Sequence, residues 1–157
     1  MSDLESVLKS VNKNRKGGVM ILSKPSLLAG FEIAGDKRNV GIHEFAHVID
    51  RTDGHIDGMP PGVPAEVTRE WIRWVAQELA NPPTKRSHIR PYAYTNEAEY
   101  FAVLLEYFFE APGVLQRKNP QVYDMLEKMI RQDTAAFLSG VTRFRARRIV
   151  RNSRCPC

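Results

Sequence analysis

The sequence predicts a mainly helical α+β domain carrying one small sheet, and three observations support that expectation. Apolar residues recur at i, i+3, i+4 and i+7 through most segments. One short apolar run, Val-Met-Ile-Leu at 19–22, lies between Gly17-Gly18 and Ser23-Lys24-Pro25, the flanks of a buried strand. Loops rich in Gly, Pro and Asp separate the periodic stretches. With 157 residues, 43% of them hydrophobic and 26% charged, the chain suits one domain over 1–157 with its own core.

Leu4, Val7, Leu8 and Val11 define a short amphipathic helix over 3–12, broken by Lys16-Gly17-Gly18. The strand at 19–22 follows, and Ser26 is placed to cap a short helix through Phe31. After GDKRN comes a helix over 39–50, in which Ile42, Phe45, Ala46, Val48 and Ile49 are expected to be mostly buried. RTDGHIDGMPPG ends it. Pro64 opens another helix whose stripe Val67, Trp71, Trp74, Val75 and Leu79 makes both tryptophans core aromatics. Beyond the loop NPPTKRSHIRP, a long helix over 96–110 is stopped by Pro112-Gly113, and a further one starts at Asn119-Pro120.

The net charge is +5, yet Arg143, Arg145, Arg147, Arg148, Arg151 and Arg154 alone exceed it, so the body is near neutral and 141–157 forms a basic tail. Such a run is expected to be a solvated terminal helix or strand, and nucleic acid is not expected as a partner. No apolar run is long enough for a membrane span and the opening residues lack a secretory core, which suggests a cytoplasmic protein. Cys155 and Cys157 are expected to be free thiols on the tail.

The chemistry is concentrated in GIHEFAHVID, residues 41–50. Four residues along a helix turn the chain by roughly 400°, so His43 and His47 share a face and their imidazoles can meet at one ion. Glu44 lies about 100° further round, placed to reach a water rather than the ion itself. This HExxH pattern predicts one Zn2+. Catalytic zinc needs a third protein ligand. The metzincin frame fails, because Asp50 and Asp53 stand where Gly and His are required. Glu99 and Glu106, seven apart on an apolar helix, are better candidates, since an inward carboxylate there needs a partner. Glu99 also sits three residues after Asn96, a capping-box arrangement, and spacing alone leaves ligand and cap both open, with Asp50 as the fallback ligand.

HEFAHVID, DGHIDGMPPGVP, YAYTNEAEYFAVLLEYFFEAP and NPQVYDMLEKMIRQD together resemble the Mlc titration factor A family of bacterial zinc peptidases, whose metal site is similar to that of anthrax lethal factor. The resemblance covers a core of about 19–133. It implies a zincin-like fold, zinc ligands at His43, His47 and Glu99, a general base at Glu44 and an active-site tyrosine at Tyr92. Two departures accompany it: this sequence has 18 residues before the strand where family members commonly have a substantial N-terminal portion, and an upstream histidine that some members place at the metal has no counterpart here.

The expected activity is that of a zinc-dependent peptidase of the gluzincin type, hydrolysing peptide or protein substrates with a metal-activated water, Glu44 as base and Tyr92 as donor to the carbonyl oxygen. Asp50 and Glu106 are candidates to accept the second N–H of the imidazoles, or to form ordinary ion pairs. Asp53 and Asp57, on the loop at 51–61, could hold a free amino terminus, which would make the enzyme an aminopeptidase. The alternatives are a non-catalytic zinc-containing domain that binds a regulatory protein partner, and nucleic-acid binding through the Arg-rich tail.

Overall fold

A computed structural model describes residues 20, 22–33, 35–83 and 87–145, the last five by backbone alone. The helix expected over 3–12, Cys155, Cys157 and the Arg-rich end beyond 145 lie outside them. Within the described residues the chain forms α1 (Lys24–Glu32), α2 (Val40–Asp50), α3 (Ala65–Ala80), α4 (Glu97–Glu110), α5 (Pro112–Lys118), α6 (Pro120–Ile130) and α7 (Thr134–Arg145), with 3-10 turns at Arg51–Asp53 and Pro91–Thr95. No helix among them is long and apolar enough to cross a membrane.

The small sheet is a correction. The described residues contain no strand, so the fold there is all-helical rather than α+β, and Met20 and Leu22 are irregular. The physical reason is pairing: a strand needs a neighbour to take up its N–H and C=O groups, and no second segment of period two offers one. An apolar run of four residues also has the length of a turn of buried chain, which periodicity cannot distinguish from a strand.

α4 is the centre of the molecule because its sequence, EAEYFAVLLEYFFE, is apolar on nearly every side. Tyr100, Phe101, Ala102, Val103, Leu104 and Phe108 are fully buried. Around them pack α2, α3, α5, α6 and the turn at Pro91–Thr95. Each of the large side chains contributes about 1.5–3 kcal/mol by leaving water. α3 faces this core with Val67, Trp71 and Val75, one helical turn apart. Trp71 is buried, its indole N–H donating to Gly58 O (2.9 Å), and the half-buried Trp74 donates to the Tyr100 hydroxyl (3.2 Å), so both tryptophans are packing residues. Pro112 does more than stop α4. It opens α5 from the first turn, where its missing N–H costs nothing.

α2 starts where Asn39 caps it, the side-chain carbonyl accepting from Ile42 N (3.1 Å). The same side chain donates to Gly30 O (2.9 Å) and Glu110 Oε1 (3.1 Å), tying α1 and α4 to the start of α2. Its burial corrects the expectation: Gly41, His43, Ala46 and Asp50 are buried, Gly41 against Leu27 of α1, while Phe45, Val48 and Ile49 are exposed. Only one stripe of α2 meets α4, and α1 covers a limited part of the remainder.

At its far end, Asp50 is wholly buried and accepts from Gly58 N and Met59 N, both at 2.9 Å. Gly58 adopts φ +76°, and a Cβ there would lie 2.4 Å from Glu97 O in the first turn of α4. Gly58→Ala is therefore expected to cost roughly 2 kcal/mol or more, through the positive φ and the backbone clash together. Gly62 shares the positive φ (+77°) with nothing within 4 Å, so Gly62→Ala should cost only about 1 kcal/mol. Thermal melts of both variants check this, with a drop in Tm of about 4–8 °C expected for the first and about half of it for the second.

Candidate metal centre

The spacing that places His43 and His47 on one helix face puts them, in the fold, against α4, with both imidazoles at Glu99 and His43 also at Glu106. Their ring centroids are 5.0 Å apart and nearly perpendicular. Glu99 reaches both: its Oε2 lies 3.0 Å from His43 Nε2 and 3.6 Å from His47 Nε2. One ligand atom from each of the three residues lies within 4.8 Å of the others. A tetrahedral zinc with bonds of about 2.1 Å separates its ligand atoms by about 3.4 Å, so three donors at this spacing fit a small divalent ion with little movement.

Of the capping box only the Asn96 half is present, since among the described residues the Glu99 carboxylate makes no bond back to Asn96 N. Asn96 Oδ1 accepts from Glu99 N (2.9 Å), which uses the backbone of Glu99 and leaves its carboxylate for the imidazoles. Cap and cluster are compatible because they draw on different atoms of one residue.

Glu106 lies two turns further along α4 and is 1% exposed. Its Oε1 is 2.7 Å from His43 Nδ1 and also accepts from Arg90 Nη2; its Oε2 accepts from Asn39 N (2.8 Å) and Arg90 Nη1 (3.0 Å). A carboxylate can only accept, so His43 Nδ1–H donates to Glu106, and with a proton held there the Nε2 lone pair would be available to an ion lying between His43, Glu99 and His47. Burial lowers the basicity of His43, but the hydrogen bond and charge of Glu106 together with the charge of Glu99 outweigh it, and its pKa is raised overall. His47 differs: its Nδ1 is buried with no hydrogen-bond partner among the described residues.

Asp50 gives both carboxylate oxygens to the amides of Gly58 and Met59, so its charge is spent on the loop after α2. Burial raises its pKa, against those amide bonds. Asp53 and Asp57 are exposed, with one oxygen each turned to a local amide, from His55 N (3.0 Å) and Met59 N (3.1 Å). Neither lines the two clefts that flank the cluster. One, of about 640 Å³, is bordered by His43, Glu44, Arg38, Arg90 and Tyr92. The other, of about 530 Å³, is bordered by His47, Ile56, Asn96, Glu97 and Glu99.

Glu44 thus opens to the same space as Tyr92, whose ring is 5.9 Å from that of His43 and 51% exposed. Slight burial raises the phenol pKa first, then the charge and hydrogen bond of Glu99, with Glu44 adding to it and Arg90 opposing. The sequence reading missed Arg90 and Asn39. The signal that could have found a cation was Glu106 itself, since a carboxylate on an apolar helix requires one nearby.

A sequence profile of the family described as glucose-regulated metallo-peptidase M90 matches residues 6–131. The proteins called Mlc titration factor A of Yersinia pestis (strain Pestoides F) and of Yersinia pseudotuberculosis serotype O:1b (strain IP 31758) are each 34% identical over 128 residues, covering 77% of this chain and 47% of theirs. The chain therefore spans about half the length of these curated relatives. With a profile that covers most of its length and two separate donor-bearing segments folded into one cluster, the chain belongs to the glucose-regulated M90 metallopeptidase family, that of the Mlc titration factors A.

Proposed function

We propose that the protein is a zinc-dependent peptidase in which His43, His47 and Glu99 hold the ion, Glu44 is the general base and Tyr92 assists at the carbonyl oxygen. The observation that carries this reading is the convergence of three donors from two distant segments beside a cleft that Glu44 and Tyr92 share. Bound there, zinc would supply a Lewis acid that activates water and polarises the peptide carbonyl. Glu44 takes the proton of the attacking water and returns it to the leaving nitrogen. The Tyr92 hydroxyl, aligned beside Glu99, donates to the carbonyl oxygen as charge develops on it. Asp53 and Asp57 are turned to their own loop, so in an aminopeptidase the amino terminus would have to be held by other groups.

A second reading comes from the name of the relatives, Mlc titration factor A, which suggests that this chain also binds a regulatory protein of the Mlc kind. The exposed Phe31, Phe45 and Val48 offer an apolar surface for such a contact without using the cleft.

Glu44→Gln is expected to keep stoichiometric zinc while hydrolysis of peptide substrates falls by about 10²–10⁴-fold, whereas His47→Ala loses both; atomic absorption and a peptidase assay on the same preparations check this. Retained turnover in the Gln variant would contradict Glu44 as the base. Tyr92→Phe should lower kcat by about 10²-fold with KM nearly unchanged, because the hydroxyl acts mainly once the oxygen is charged, and steady-state kinetics of that variant separate the two parameters.

A further inference from the structure

Arg90 stands between the two halves of the site. It immediately precedes the turn Pro91–Thr95 that carries Tyr92, and its guanidinium carbon lies 5.9 Å from the centre of the Tyr92 ring. Nη1 donates to Glu106 Oε2 (3.0 Å) and to Lys37 O (3.1 Å), and Nη2 donates to Glu106 Oε1. Three of its five N–H donors are thus spent within the protein, on α4 and on the segment that leads into α2. The fork grips both oxygens of a carboxylate whose side chain is 2% exposed. Once so gripped, that carboxylate can neither rotate nor turn to solvent, and Oε1 is fixed 2.7 Å from His43 Nδ1.

We propose that Arg90 is a positioning residue for the metal centre, acting through Glu106 to hold His43 with Nε2 turned to Glu99 and His47, and through its own chain segment to set Tyr92 at the cleft. Its role requires a planar fork, because one group must span two carboxylate oxygens and a carbonyl at once, which a lysine ammonium cannot do with the same alignment. The inference rests on the metallopeptidase reading and extends it from the ligands to the residue that aims one of them.

The test is a double-mutant cycle read by zinc affinity rather than by turnover. Apparent zinc dissociation constants are measured by competition with a chromogenic chelator for the wild type, Arg90→Met, Glu106→Gln and the double variant, with circular dichroism melts on each. Each single change is expected to weaken zinc by about 10–100-fold. The double should be weaker than the worse single by no more than about twofold, because both changes cut the same link. Wild-type affinity in Arg90→Met overturns the inference alone, as do losses that multiply in the double. Where Arg90→Met fails to fold, Arg90→Lys keeps the charge and should still weaken zinc by at least about threefold for want of the fork; a Lys variant that binds as the wild type does also overturns it. A wild-type chain that takes up no zinc sinks the metallopeptidase reading and this inference together.

Discussion

The Glu106 carboxylate is the constraint on which the site depends. It projects from the most apolar helix of the molecule into a place where water cannot reach it, and an unpaired charge there would cost several kcal/mol. Four N–H groups from three places in the chain converge on its two oxygens: His43 from within α2, the Asn39 amide at its start, and the Arg90 fork ahead of the Tyr92 turn. Buried ion pairs of this kind contribute little net stability, because desolvation offsets the attraction. What they contribute here is registry. α2, α4 and the Tyr92 turn can satisfy that carboxylate in one relative arrangement, and the same arrangement brings His43, His47 and Glu99 together.

Two glutamates on one helix therefore have different tasks, set by their surroundings. The His43 ring is held between them, Nδ1 on Glu106 and Nε2 beside Glu99. Glu106 has no free lone pair left for an ion. Glu99, with its side chain 18% exposed, faces only imidazole nitrogens and, through Tyr92, a phenol. The saturated carboxylate orients an imidazole while the unsaturated one remains available for a cation, a division that residue identity and spacing alone do not express.

That division marks how far the sequence could be read. The HExxH spacing and the apolar length of 96–110 fix which helices meet and which faces carry the donors, because both follow from a period of 3.6. The choice between cap and ligand at Glu99 was not decidable from spacing, since a capping box and a metal both call on the same carboxylate; in the fold Asn96 caps through the Glu99 N–H and the carboxylate turns to the imidazoles. Arg90 was hidden in a basic, proline-rich loop, where an arginine reads as solvated; its partner is sixteen residues away in sequence, on a helix that the loop gives no reason to approach. The small sheet and the buried outer face of α2 failed for a shared reason. Apolar content was read as burial or pairing without a partner element to supply it, and among the described residues Phe45, Val48 and Ile49 have none sufficient to cover them.

Asp50 extends the argument from Glu106 to the other end of α2. Its spacing from His47 suggested a hydrogen bond to that imidazole, yet its oxygens take the amides of Gly58 and Met59. Gly58 in turn lies so close to Glu97 that no Cβ fits between them, and its carbonyl accepts from Trp71. The chain of contacts runs from the end of the histidine helix, through the loop, to the first turn of α4, two residues before Glu99. Asp50 thus bears on the donor cluster by fixing where α4 begins relative to α2, while Glu106 fixes the same pair of helices two turns further along. With α2 fastened to α4 at both ends, Glu99 and the two imidazoles between those fastenings have little freedom to separate, as a site assembled from two distant segments requires.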